Sequence, residues 1–248
     1  MDPIRTDETP AVPDPAAPTH APSTVTGGVH PSRDSLDREL RAIKDAVLRM
    51  GSLVERQILA ALQSLVDHDA AAAATVIAAD RQVNDVQREA EALITLTIAT
   101  QGPVARDLRF LLALDRVTYE LERIGDHATS VAKQARKLAP LPPLQGYLGL
   151  PEMARTAAEL VSGILQALID VDEERARVVA ARDDEIDALY HATFDEALRL
   201  MRADPLNVEP GTRILFAAHY IERIGDRVTN IAEDVVFLAT GHVEDLNP

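Results

Sequence analysis

The pentapeptide Glu-Arg-Ile-Gly-Asp occurs twice in this chain, as Glu122 to Asp126 and as Glu222 to Asp226, and the residues around it match as well. Apolar or small residues fall at Val117, Leu121, Ile124, Ala128, Val131, Ala135 and Leu138, and one hundred positions later at Ala217, Ile221, Ile224, Val228, Ile231, Val235 and Leu238. Steps of four and three alternate in both series, the pattern of an apolar seam on a helix packed in a bundle. Each pentapeptide therefore lies inside a long helix, and the chain is an internal duplication.

Composition narrows the class. Aromatic residues make up 3% of the 248 positions and Trp is absent, so the core has to be aliphatic and helical. Acidic residues number 40 against 25 basic ones, a formal net charge of −15 that repels nucleic acid and anionic membrane surfaces. There is no Cys, hence no disulfide, thiolate metal site or Cys nucleophile. Neither a signal-peptide core nor a bilayer-spanning stretch is present in the sequence, which predicts a cytoplasmic protein without direct membrane insertion.

Along the chain, residues 1–33 are rich in Pro and Ala with almost nothing apolar to bury, and are expected to be a disordered tail. Helices are predicted from Asp34 to Asp67, Ala70 to Thr100 and Val104 to Leu138, with Gly102-Pro103 ending the second. Pro140, Pro142 and Pro143 open a linker. The plan then repeats, with helices from Pro151 to Val171, Asp172 to Arg202 and Gly211 to Thr240, the last stopped by Gly241. The expected fold is all-α: two tandem, internally duplicated three-helix bundles with six long helices, the first over residues 34–145 and the second over 146–248.

Glu and Asp four residues apart lie one above the other on a helix face, about 6 Å between Cβ atoms, and repel unless a cation sits between them. The middle helix of each half carries the same spacing, in Asp80 with Asn84 and Asp183 with Asp187. In an antiparallel hairpin, Asp80 falls level with Asp126 and Asn84 with Glu122. Asp183 falls level with Asp226 and Asp187 with Glu222. Converging oxygen ligands suit hard divalent cations such as Mg²⁺, Ca²⁺ or Mn²⁺, and clustered carboxylates also suit iron. One metal site per half is predicted, built from Asp80, Asn84, Glu122 and Asp126 in the first and Asp183, Asp187, Glu222 and Asp226 in the second. Because these positions lie away from the seams or at their edges, an open surface groove is expected.

Other features bear on the same sites. Gly125 and Gly225 cost helix stability, which points either to close helix packing or to close approach of a ligand. His191 and His219 border the second site, whereas Arg88 and Tyr119 hold the matching places in the first. No nucleophile-base set, phosphate loop or organic-cofactor motif appears, so no enzymatic activity is predicted.

The chain resembles the PhoU family of phosphate-uptake regulators. The resemblance rests on Asp107-Leu108-Arg109, on Leu121 to His127, on Ile221 to Asp226 with Asn230-Ile231-Ala232, and on Asp80-x-x-Val83-Asn84. It implies surface metal clusters, single or multinuclear, of iron or divalent Mg, Mn, Zn or Ca. It also implies a cytoplasmic, homodimeric negative regulator of phosphate uptake and phosphate-starvation signalling. The implied partners are the ATPase subunit of a phosphate ABC transporter and a phosphate-sensing histidine kinase. In this chain Asn84 stands where the second half has a carboxylate, so two unequal sites are expected. Two other readings compete: a di-iron carboxylate oxidase or metal-storage bundle, and a metal-free helical scaffold whose acids are only solvated.

Overall fold

The computed structural model describes residues 33–144 and 149–247. The expected tail falls on residues outside that range, apart from Arg33, which already opens the first helix; so do residues 145–148 of the linker.

The helices are α1 (Arg33–Val66), α2 (Ala70–Gln101), α3 (Ala105–Leu138), α4 (Leu150–Asp170), α5 (Glu173–Ala181), α6 (Asp183–Ala203) and α7 (Val208–Thr240), with a 3₁₀ turn at Pro205–Asn207 before α7. No strand occurs among the described residues. The predicted starts and stops have clear causes. Gly102 ends α2 and Gly241 ends α7, both at positive φ (55° and 77°), a conformation open to a residue without Cβ. Asp69 caps α2 through the amides of Ala71 and Ala72, and Asp172, 103 residues later, caps α5 through the amide of Arg175. Their backbone angles are nearly identical (−96°, 98° and −95°, 98°), so the duplication extends to the turns.

One expected helix is divided. The segment predicted to run unbroken from Asp172 to Arg202 is interrupted at Arg182, whose amide bonds the carbonyl of Val179 at 3.1 Å in a tighter 3₁₀-type turn. The Arg182 guanidinium anchors this break to Glu159 of α4 and Glu185 of α6. Taken as one interrupted helix, α5 and α6 complete the six-helix plan.

All the seam positions of α3 and α7 are buried except Leu238, which is half-buried. Each fully buried Val, Leu or Ile is worth about 1.5–3 kcal/mol relative to exposure, so these two stripes are a main source of stability. α1 packs on α2 and α3, while α7 packs on α4, α5 and α6. The halves are further joined by α3 against α7 and α1 against α4, and a single continuous apolar core runs through both. At Gly51 a Cβ would lie 2.0 Å from Leu165 Cδ1, which shows how closely α1 and α4 meet. Along the α3–α7 contact, Arg116 pairs with Asp234, Glu120 with Arg227, and His127 stacks on Tyr220. Residue numbers rise on one helix as they fall on the other, so the two run antiparallel.

Candidate metal centres

The first groove lies between α2 and α3. Asp80 Oδ1 accepts from Thr129 Oγ1 and from Gln57 Nε2, each at 3.1 Å, and Asp80 Oδ2 accepts from Asn84 Nδ2 at 3.4 Å. Gln57 Nε2 also donates to Thr129 Oγ1 at 2.7 Å. Glu122 and Asp126 lie on α3 beside this network, and Arg123 spans them, 3.7 Å from Glu122 Oε2 and 3.5 Å from Asp126 Oδ2. Arg123 also donates to the Tyr119 hydroxyl at 2.8 Å. Burial, and then the charge of Asp126, push the Glu122 carboxyl above its ordinary range; burial and the charge of Asp80 do the same to Asp126. All four predicted residues are half-buried, as a groove requires.

The second groove, between α6 and α7, is deeper. Asp187, Glu222 and Asp226 are half-buried, but Asp183 is only 4% exposed, which corrects the expectation of a fully open site. Asp183 Oδ2 accepts two long hydrogen bonds, from Thr229 Oγ1 at 3.4 Å and from Asn247 Nδ2 at 3.3 Å, while Oδ1 is buried with no hydrogen-bond partner. Burial, with the charges of Asp187, Asp226 and Glu222 adding to it, pushes the Asp183 carboxyl up to about 7. Asp187 is raised by burial and Asp226, and so is Glu222. Among the described residues Arg223 pairs with Asp226 alone, at 2.8 Å. Glu222 Oε2 is buried without a hydrogen bond, though His219 Nδ1 stands 3.3 Å from it. His191 turns its Nδ1 to the carbonyl of Asp187 at 2.8 Å.

Both glycines of the pentapeptides face the aspartate across the hairpin. A Cβ at Gly225 would lie 2.0 Å from Asp183 Oδ1; at Gly125 the nearest atom would be Gln57 Oε1 at 3.3 Å, with Asp80 Oδ1 at 3.7 Å. Close packing is thus the role of both, against the aspartate itself at Gly225 and against Gln57 and Val83 at Gly125. Each predicted set of four is brought to one groove, and the two grooves are separate.

Four participants were not anticipated. Thr129 and Thr229 sit one hundred residues apart, and a hydroxyl repeated beside both apolar seams was a usable signal. Gln57 stands where the seam of α1 calls for an apolar residue, and its counterpart 103 positions on is Leu160, 1% exposed. Asn247 lies beyond the last helix, where no periodicity points to it.

The protein-family model for the PhoU domain matches residues 47–135 and 150–235. The chain belongs to the PhoU family. It is 34% identical over 217 residues to the phosphate-specific transport system accessory protein PhoU homolog of Clostridium acetobutylicum, covering 87% of this chain and 99% of that one. It is 36% identical over 208 residues to the corresponding Rhizobium meliloti homolog, covering 84% and 88%. The crystal structure of PhoU from Pseudomonas aeruginosa superposes with a TM-score of 0.78 at 32% identity, over 84% of this chain and all of that one. The two matched segments of the PhoU model coincide with the two halves that carry the grooves.

Do these residues fit a metal ion? Among the described residues no three His, Asp or Glu side chains are gathered as a finished coordination set, and Arg123 and Arg223 lean on the acids instead. The donor chemistry nonetheless suits a hard cation: carboxylate oxygens crowd against like charge, and in the second groove Asp183 Oδ1 and Glu222 Oε2 are buried and unpaired.

Proposed function

We propose that this PhoU-family protein is a cytoplasmic, non-catalytic negative regulator of phosphate uptake and phosphate-starvation signalling. It acts as a metal-binding adaptor, most simply as a homodimer, between the ATPase subunit of a phosphate ABC transporter and a phosphate-sensing histidine kinase. Its relatives are named accessory proteins of the phosphate-specific transport system, and no described helix is long and apolar enough to cross a membrane.

The observation that carries the metal part is the second groove. A buried aspartate with an unpaired oxygen faces two further acids, and an ion bound there would supply the positive charge those oxygens lack. Asp183, Asp187, Glu222 and Asp226 would be its ligands, with Asp80, Asn84, Glu122 and Asp126 forming a weaker counterpart. The ion's role is electrostatic: it fixes the facing surfaces of α6 and α7 into one docking face. Arg223, released from Asp226, would then be free to meet an acidic partner.

The oxidase reading expects Glu-x-x-His pairs that face a core. Here the order on α7 is His219-x-x-Glu222, and the groove lies at the surface. Crosslinking in phosphate-replete and phosphate-starved cells tests the adaptor role. Recovery of a transporter or kinase subunit is expected, and its failure under both conditions would contradict that role.

A further inference from the structure

A cavity of about 440 Å³ lies where the first turns of α1 and α3 meet the turn after α4, and none of the eight groove residues lines it. Its cations are Arg33, Arg41, Lys44 and Arg106. The carboxylates in the same wall are already engaged. Arg33 pairs with both Asp37 and Asp107, and Asp170 accepts from Gln166 at 2.8 Å and lies 3.7 Å from Arg175. Lys44 reaches the Ile169 carbonyl at 3.4 Å and stands 4.8 Å from the centre of the Phe110 ring, and makes no ion pair among the described residues. Arg41 and Arg106 have no ion pair or hydrogen-bond partner among the described residues.

Roughly half of the Lys and Arg side chains among the described residues have no carboxylate partner, so what marks these three is that they line one cavity. Three that converge on one cavity without one form a local anion-attracting field inside an acidic protein. The first turn of α3 also borders the cavity, its one acid, Asp107, being held by Arg33. The remaining wall is apolar, through Leu40, Phe110 and Val171. Guanidinium forks match phosphate oxygens, and an apolar wall of this size suits an organic body.

We propose that this cavity binds a phosphorylated small molecule, its phosphate held by Arg41 and Arg106 with Lys44 behind them and its organic part against Leu40, Phe110 and Val171. The site does not depend on the metal grooves, and its ligand would give the regulator an input separate from them.

Isothermal titration of the full chain with ATP, AMP and inorganic phosphate, in phosphate-free buffer containing EDTA, tests this. The chelator keeps metal-nucleotide complexes out of the carboxylate grooves. One saturable nucleotide site is expected, weakened at least tenfold by the double variant Arg41→Ala/Arg106→Ala and less by Arg41→Lys/Arg106→Lys. Arg199→Ala, at an exposed arginine already paired with Glu196, should change nothing. Both cavity arginines are exposed, so the variants keep the fold, which far-UV circular dichroism checks. Absence of saturable binding, or equal loss in Arg199→Ala, would overturn the proposal. Equal affinity for AMP and inorganic phosphate would overturn the assignment of an organic ligand.

Discussion

The two grooves share turns, helices and pentapeptides, yet they treat their central aspartates in opposite ways. Asp80 receives three donors, from Gln57, Thr129 and Asn84. Asp183 receives two long ones, keeps one oxygen unpaired, and is pushed up to about 7. Two changes separate them: Asn84, a donor to Asp80, is matched by Asp187, whose charge pushes Asp183 up, and Gln57 in α1 is matched in α4 by Leu160, which donates nothing. A duplication can thus preserve the placement of the acids while changes at two positions leave one central carboxylate satisfied and the other without a partner for one oxygen.

The largest difference should appear in pH dependence. Asp183 binds its proton more tightly folded than unfolded, from an ordinary value of 3.8 to about 7. Its effect on metal-free stability is therefore neutral below about pH 4 and grows more unfavourable as pH rises to about 7. Three units at about 1.4 kcal/mol each set an upper limit of about 4 kcal/mol. Urea unfolding of Asp183→Asn should show most of that slope removed and a gain in stability at pH 8. Asp80→Asn should lose about 1–3 kcal/mol at the same pH, because it gives up the bond accepted from Asn84 and the charge that strengthens those from Gln57 and Thr129. The same sign for both variants would break the contrast.

Glycine substitutions sharpen it further. Gly225→Ala forces a Cβ into Asp183 and should cost about 1–3 kcal/mol. At Gly125 the contact is milder and the better helix propensity of Ala, about 1 kcal/mol, offsets it, so the midpoint of Gly125→Ala should stay near wild type. Exchanging the supporting residue comes next. Gln57→Leu should cost about 1–2 kcal/mol by removing a donor to Asp80, read by urea unfolding, and Leu160→Gln should lower the Asp183 carboxyl, followed by NMR titration. The smallest effect belongs to the half-buried pair of Arg123 with Asp126, long at 3.5 Å: Arg123→Gln should change stability by less than about 1 kcal/mol.

Helix positions followed from periodicity because a bundle seam repeats in sequence at the same interval as it does in space. The break at Arg182 did not, since no Pro or Gly marks it and its anchors Glu159 and Glu185 lie on separate elements. The acids could be placed level because turn positions fix the register of a hairpin. The depth of the second groove could not, because it depends on the return of Asn247 from beyond α7 and on the absence of a side chain at Gly225. Gln57 was visible as a polar interruption of an apolar seam, but its target, Asp80, lies 23 residues away on another helix.

We propose that the second groove holds metal more tightly than the first. Calorimetric titration of metal-depleted protein with Mn²⁺ and with Fe²⁺ under anaerobic conditions, supported by elemental analysis, tests it most directly. Glu222→Ala/Asp226→Ala should abolish the tightest phase, while Glu122→Ala/Asp126→Ala should retain it and lose only a weaker one. No bound metal with either ion, or loss of the tight phase in the first-groove variant alone, would contradict the account.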